Sequence, residues 1–164
     1  MVKRNKRASL DDLGYILGVI ATFAFLLLIM GAWMNGFNEN IQQIDDIPDA
    51  GKTAVSQIDG LYGGALDNGF LFLTIGLAIG AVIFAMLVVV HPIFFIFYII
   101  MLTIVTVVAG ALSNMYQEAA ANPTLAPIAA KLMFTTHILN FLPLITAIIG
   151  IIIAIVMYKN WQER

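Results

Sequence analysis

The sequence predicts an all-α integral membrane protein with four transmembrane helices, the second and third forming a tight hairpin and both termini on the inner side. Three observations carry this reading. Hydrophobic residues make up 61% of the 164 residues and charged residues 11%, against roughly 45–50% and 25% in ordinary soluble domains. The apolar residues fall in long blocks, and about 20 in a row are what a helix needs to cross a hydrocarbon core. Six of the eight lysines and arginines lie at the two ends of the chain. The chain has no cysteine, so disulfides, thiolate metal sites and thiol catalysis are excluded.

Residues 1–12 form a basic tail beginning "MVKRNKR". That start would fit a signal peptide, but the apolar segment after it is too long for the usual core and no A-x-A site follows. "KRASLDDLGYIL" is also compatible with a prepilin-like leader, yet it lacks the glycine before the cut and the lone Glu, and the chain has several apolar helices. An uncleaved first span over residues 13–33 is therefore expected, roughly 31 Å long at 1.5 Å per residue.

Residues 34–69 make an acidic outer loop, with Glu39, Asp45, Asp46, Asp49, Asp59 and Asp67 against Lys52. Ile41, Ile44 and Ile47 recur at three-residue spacing, and Val55, Ile58 and Leu61 repeat the pattern. Each set would make one apolar stripe on a short helix. Two short amphipathic helices separated by residues 48–51 are expected, with Ile41, Ile44, Ile47, Ile58 and Leu61 as contact residues toward the membrane or a neighbour. Asp67-Asn68-Gly69 offers a cap for the second span. The acids do not match a twelve-residue calcium loop with its Gly and final Glu, so they read as a solvated face.

From Phe70 to Leu112 the chain is apolar for 43 residues, interrupted by three threonines and by His91-Pro92. One helix of that length would reach roughly 64 Å, twice the core. Proline removes a backbone donor and disfavours helix at the residue before it. His91 and Pro92 therefore read as the tip of a helical hairpin between spans at 70–90 and 93–113. Residues 114–137 form a second outer loop with an interfacial helix around Lys131. The last span is residues 138–158, bent near Pro143, and 159–164 is a short inner tail.

Four crossings put Lys3, Arg4, Lys6, Arg7, Lys159 and Arg164 on one side, leaving only Lys52 and Lys131 on the other. The positive-inside rule makes the first side cytoplasmic or its equivalent. Tyr15, Phe94, Phe95, Tyr98, Tyr158 and Trp161 would then mark the inner boundary, and Trp33, Phe37, Phe70, Phe72 and Tyr116 the outer one.

Small residues recur at helix spacing: Gly14, Gly18 and Thr22, then Gly76 and Gly80, then Thr106, Gly110 and Ser113, then Gly150 and Ala154. Such stripes let backbones approach where lipid gives no hydrophobic drive for association. Gly14, Gly18, Gly76, Gly80, Gly110, Gly150 and Ala154 are the expected helix-packing positions. Packing within the bundle is the plain reading; Gly76/Gly80 facing another copy or a partner is the sharper one.

No Asp, Glu, Lys or Arg falls inside the four spans, which argues against a pump, a proton-coupled transporter or a membrane protease. Thr135, Thr136, His137 and Asn140 form a polar cluster at the membrane boundary, with Thr136/His137 and Asn140 on one helix face, suited to interhelical hydrogen bonds. Two distant histidines without a positioned carboxylate make no metal site, and there is no phosphate loop or nucleophile motif. No catalytic, cofactor or metal residue is assigned. The basic start could touch anionic lipid or nucleic acid.

The stretch "VHPIFFIFYIIMLTIVTVVAGALSNMY", residues 90–116, resembles segments of small polytopic membrane proteins from icosahedral phages and viruses with an internal membrane. Its carriers are His91, Pro92, Ser113, Asn114 and Tyr116. The resemblance implies a virion membrane component, with the acidic loop toward the shell and the basic termini toward the genome. The expected function is a non-enzymatic structural or assembly subunit in a cell membrane or internal virion membrane. It would meet other membrane or shell proteins through the outer loop, as a homo- or hetero-oligomer. A small pore-forming, holin-like protein and an accessory subunit of a membrane enzyme are the alternatives.

Overall fold

The computed structural model describes residues 8–87 and 92–162. Among them there is helix and no strand. The helices are α1 (Ala8–Gln42), α2 (Asp49–Leu61), α3 (Asp67–Leu87), α4 (Pro92–Ala121), α5 (Ala126–Lys131), α6 (Met133–Asn140) and α7 (Leu142–Gln162). Four segments are long and apolar enough to cross a membrane: Gly14–Gln42, Asp49–Ile83, Phe95–Ala121 and Leu142–Lys159.

The first helix runs past Trp33 to Gln42, because "MNGFNENIQ" contains no proline. It ends where "IDDIP" brings turn-forming aspartates and a proline. The first expected amphipathic helix is therefore absent. Ile41 lies in the last turn of α1, and Ile44 and Ile47 lie in the connecting turn. Lys52 Nζ donates to the Gln42 carbonyl at 3.2 Å, and Gln42 Nε2 donates to the Lys52 carbonyl at 3.0 Å, closing the α1–α2 corner. The second amphipathic helix does form as α2, which holds Ile58 and Leu61. It is continuous with α3 through a π-turn, Tyr62–Leu66, built on Gly63-Gly64.

His91 lies outside the described residues, and Pro92 is the first residue of α4. The two helices flanking this point do not form the tight pair expected of a hairpin. α7 packs extensively on both α3 and α4, while α1 contacts both from the other side. The four long helices thus close in the order α1, α3, α7, α4, with α3 and α4 on a diagonal. Proline and chain length mark where α4 begins; they do not choose its packing neighbour.

Gly150 marks the close approach of α4 and α7. A Cβ at Gly150 would overlap the Leu102 side chain, and the buried Tyr98 hydroxyl donates to the Gly150 carbonyl at 2.9 Å. With Ala85, Ile153, Ala154 and Met157, these residues form one core. The larger core gathers α1, α3, α4, α5, α6 and the start of α7 around Leu28, Phe70, Tyr116, Leu132 and Leu139. Tyr98, Phe70 and Tyr116 are all fully buried. Their rings fill space between helices; Phe70 stacks on Phe23 and Tyr116 meets Phe25 edge-on.

Candidate functional site at the α5–α6 end

The connection between α4 and α7 folds down as a broken helix. Leu132 interrupts it with non-helical backbone angles (φ −91°, ψ 64°) between α5 and α6. The Leu132 side chain is fully buried, with Ile128 and Leu139 on either side. The segment is thus driven inward by its own leucines and isoleucines rather than lying as a surface helix.

Its polar groups are held by carboxylates from elsewhere. Asp67, 2% exposed, sits in the first turn of α3 but caps α6. It accepts from the Phe134 and Thr135 backbone N–H groups at 2.8 Å each and from the Thr135 hydroxyl at 2.7 Å. The expectation that Asp67 caps its own span is corrected. It lies beside the N-terminus of α6, and three donors replace the water it gave up.

A second tie lies higher on the bundle. Lys131 Nζ contacts Asp59 Oδ2 at 2.8 Å and Asn35 Oδ1 at 3.1 Å. It joins the last residue of α5 to α2 and α1. Asp59 Oδ1 is buried and has no hydrogen-bond partner. Gly63 admits this contact, because a Cβ there would come within 3.2 Å of the Lys131 carbonyl.

The third set joins α4 to α5 and α6. The Thr136 hydroxyl donates to the Ala129 carbonyl at 2.9 Å, so the Tyr116 hydroxyl is the donor across the 3.1 Å contact to Thr136. Ser113 donates to the Asn140 carbonyl at 3.1 Å, and Gln117 donates to the Ser113 hydroxyl at 3.1 Å.

Of the expected cluster, Thr135 and Thr136 enter this network through their side chains. His137 is exposed, with its ring against Phe141, and Asn140 contributes its backbone. Of the expected packing glycines, Gly150 is used. At Gly14, Gly18, Gly76, Gly80 and Gly110 a Cβ would meet nothing within 4 Å. Gly31, which spacing did not single out, admits Ile128 and Tyr62. Asp67, Asp59 and Asn35 were also missed as network members, because their partners lie 67 to 96 residues away.

The cavity between α1, α3 and α7 is about 30 Å³, and its walls are apolar apart from Thr74 and Thr146. The Thr74 hydroxyl already donates to the Phe70 carbonyl. Among the described residues no three His, Cys, Asp or Glu side chains are grouped to hold a metal. The arrangement defines a helical bundle of membrane-spanning character whose polar side chains connect its own elements. The chain matches no protein-family model, no curated protein and no solved structure.

Proposed function

We propose that this protein is a non-enzymatic structural subunit of a membrane-embedded assembly, with both termini on the inner side and the α5–α6 end outside. One observation carries the reading: the polar side chains at the α5–α6 end join helix to helix. A conduit needs polar groups along a continuous opening. A scaffold needs a fixed outer surface, and ties spanning 67 to 96 residues of sequence provide one. A virion membrane, with the acidic outer end toward a protein shell, is one setting that suits this charge distribution.

Native mass and composition after gentle detergent extraction from the source material test the proposal. Co-migration with a large particle or with fixed partners is expected. A lone monomer or small homo-oligomer that conducts ions in a planar bilayer would overturn it.

A further inference from the structure

The apolar surfaces of α1 and α4 stop at different heights. Phe25 on α1 touches Tyr116 on α4, ring centroids 5.7 Å apart, so those residues share a level. At that level α4 turns polar, with Asn114, Gln117 and Glu118 all exposed. On α1 the exposed side chains beyond it remain apolar: Leu26, Ile29, Met30, Trp33 and Phe37. Trp33 is 70% exposed and stacks on Phe37. Twelve helical residues separate Phe25 from Phe37, so the apolar stripe continues roughly 18 Å past the height where α4 becomes polar. A bilayer placed to suit α4 leaves this stripe in headgroups and water, where apolar surface is driven to find cover.

A groove of about 380 Å³ between α1 and α4 runs into the inner end of the stripe, with Gly18, Thr22, Leu26, Ile29 and Met115 in its walls. The absence of a side chain at Gly18 gives a helix room to approach. Just beyond the stripe stand the exposed acids Glu39, Asp45, Asp46 and Asp49. Of the two cations at this end, Lys52 is bonded to the Gln42 carbonyl and Lys131 to Asp59. A second copy in the same membrane orientation would bring like acids together. A helix with lysine or arginine at its outer end would be attracted to them.

We infer that the outer half of α1 is the docking face for a partner's transmembrane helix that is apolar along its length and basic at its outer end. The inference rests on the assembly reading and names the chemistry of the neighbour. The acids set the partner's orientation and register; Trp33 and Phe37 supply the contact area.

The test uses the full chain in neutral phosphatidylcholine vesicles. Because the chain has no cysteine, Asn40→Cys gives a single donor-dye site next to the stripe. The probes are two synthetic leucine–alanine helices of about 20 residues. One carries three lysines at the dye-labelled end, the other three glutamates. Energy transfer to the lysine peptide is expected at a peptide density at least tenfold lower than for the glutamate peptide. Trp33→Ala/Phe37→Ala, which alters only exposed side chains, should keep its helical circular dichroism and lose transfer to the lysine peptide, while Asp45→Asn/Asp46→Asn should lose the preference between the two peptides. Equal transfer from both peptides, or donor–donor self-association at lower density than either, would overturn the inference. If the chain still co-migrates with a large assembly in that case, the assembly reading stands and this docking face falls.

Discussion

The two ends of the bundle are held together by different physics. At the α5–α6 end, buried carboxylates and hydroxyls reach across the chain to backbone groups that the broken helix leaves open. At the other end, α3, α4 and α7 meet through close approach, with Gly150 under Leu102 and its carbonyl taking a bond from the Tyr98 hydroxyl. The difference follows from backbone accounting. Continuous helices satisfy their own amides and need only fit one another. A helix interrupted at Leu132 and again at Phe141 exposes new N–H and C=O groups, which must find partners when buried.

The comparison can be broken most severely at Asp67. Asp67→Ala strands two amides and a hydroxyl in a buried site, each costing about 1–3 kcal/mol, so a loss of about 3 kcal/mol or more is expected. Asp67→Asn, which keeps one carbonyl acceptor, should lose less. Equilibrium unfolding in mixed detergent measures both, and a neutral Asp67→Ala would mean that α6 is held by its leucines alone.

Next in size is Gly150→Leu, which forces volume into the Leu102 contact. Overpacking of this kind costs typically about 1–3 kcal/mol. Gly76→Leu, at a position where a Cβ meets nothing, is the control and should change monomer stability little. Equal losses at both would show that the α4–α7 approach is not special.

A smaller effect is expected for Lys131→Met. Its ion pair is partly exposed, which limits the pair to about 0.2–1 kcal/mol, but the change also leaves Asp59 buried without its cation. A double-mutant cycle with Asp59→Asn, run at low and high salt, should recover the pair's coupling and show it weakening with salt. The smallest expected change is Tyr98→Phe, about 0.6 kcal/mol, typical of a single hydrogen bond between membrane helices. A loss several times larger would make the α4–α7 end as dependent on polar bonds as the α5–α6 end.

Much of the frame was legible in the residues. Length and hydropathy marked four spans, and Pro92 marked the start of α4, because those signals are local. The α2 stripe through Ile58 and Leu61 was legible for the same reason. The Ile41, Ile44 and Ile47 pattern misled: its spacing is helical, but Asp45, Asp46 and Pro48 end the helix before the pattern can be used. The cap at Asp67 was visible as an acid at a helix start, while its true acceptor role depends on a fold that brings Phe134 and Thr135 to it. Gly150 could not be told from Gly76 by spacing, since both sit in small-residue stripes and only tertiary packing puts a leucine over one of them. Counting charges within spans likewise passed over Asp59 and Asp67, because α1 and α2 extend the helical body beyond the apolar blocks.

Hydrogen exchange at the amides of Phe134 and Thr135, in the wild-type chain and in Asp67→Ala, tests the central claim most directly. The account predicts protected amides in the wild type, exchange faster by at least tenfold in the variant, and unchanged protection around Ile153 and Ala154. Equal exchange of Phe134 and Thr135 in both chains would contradict it.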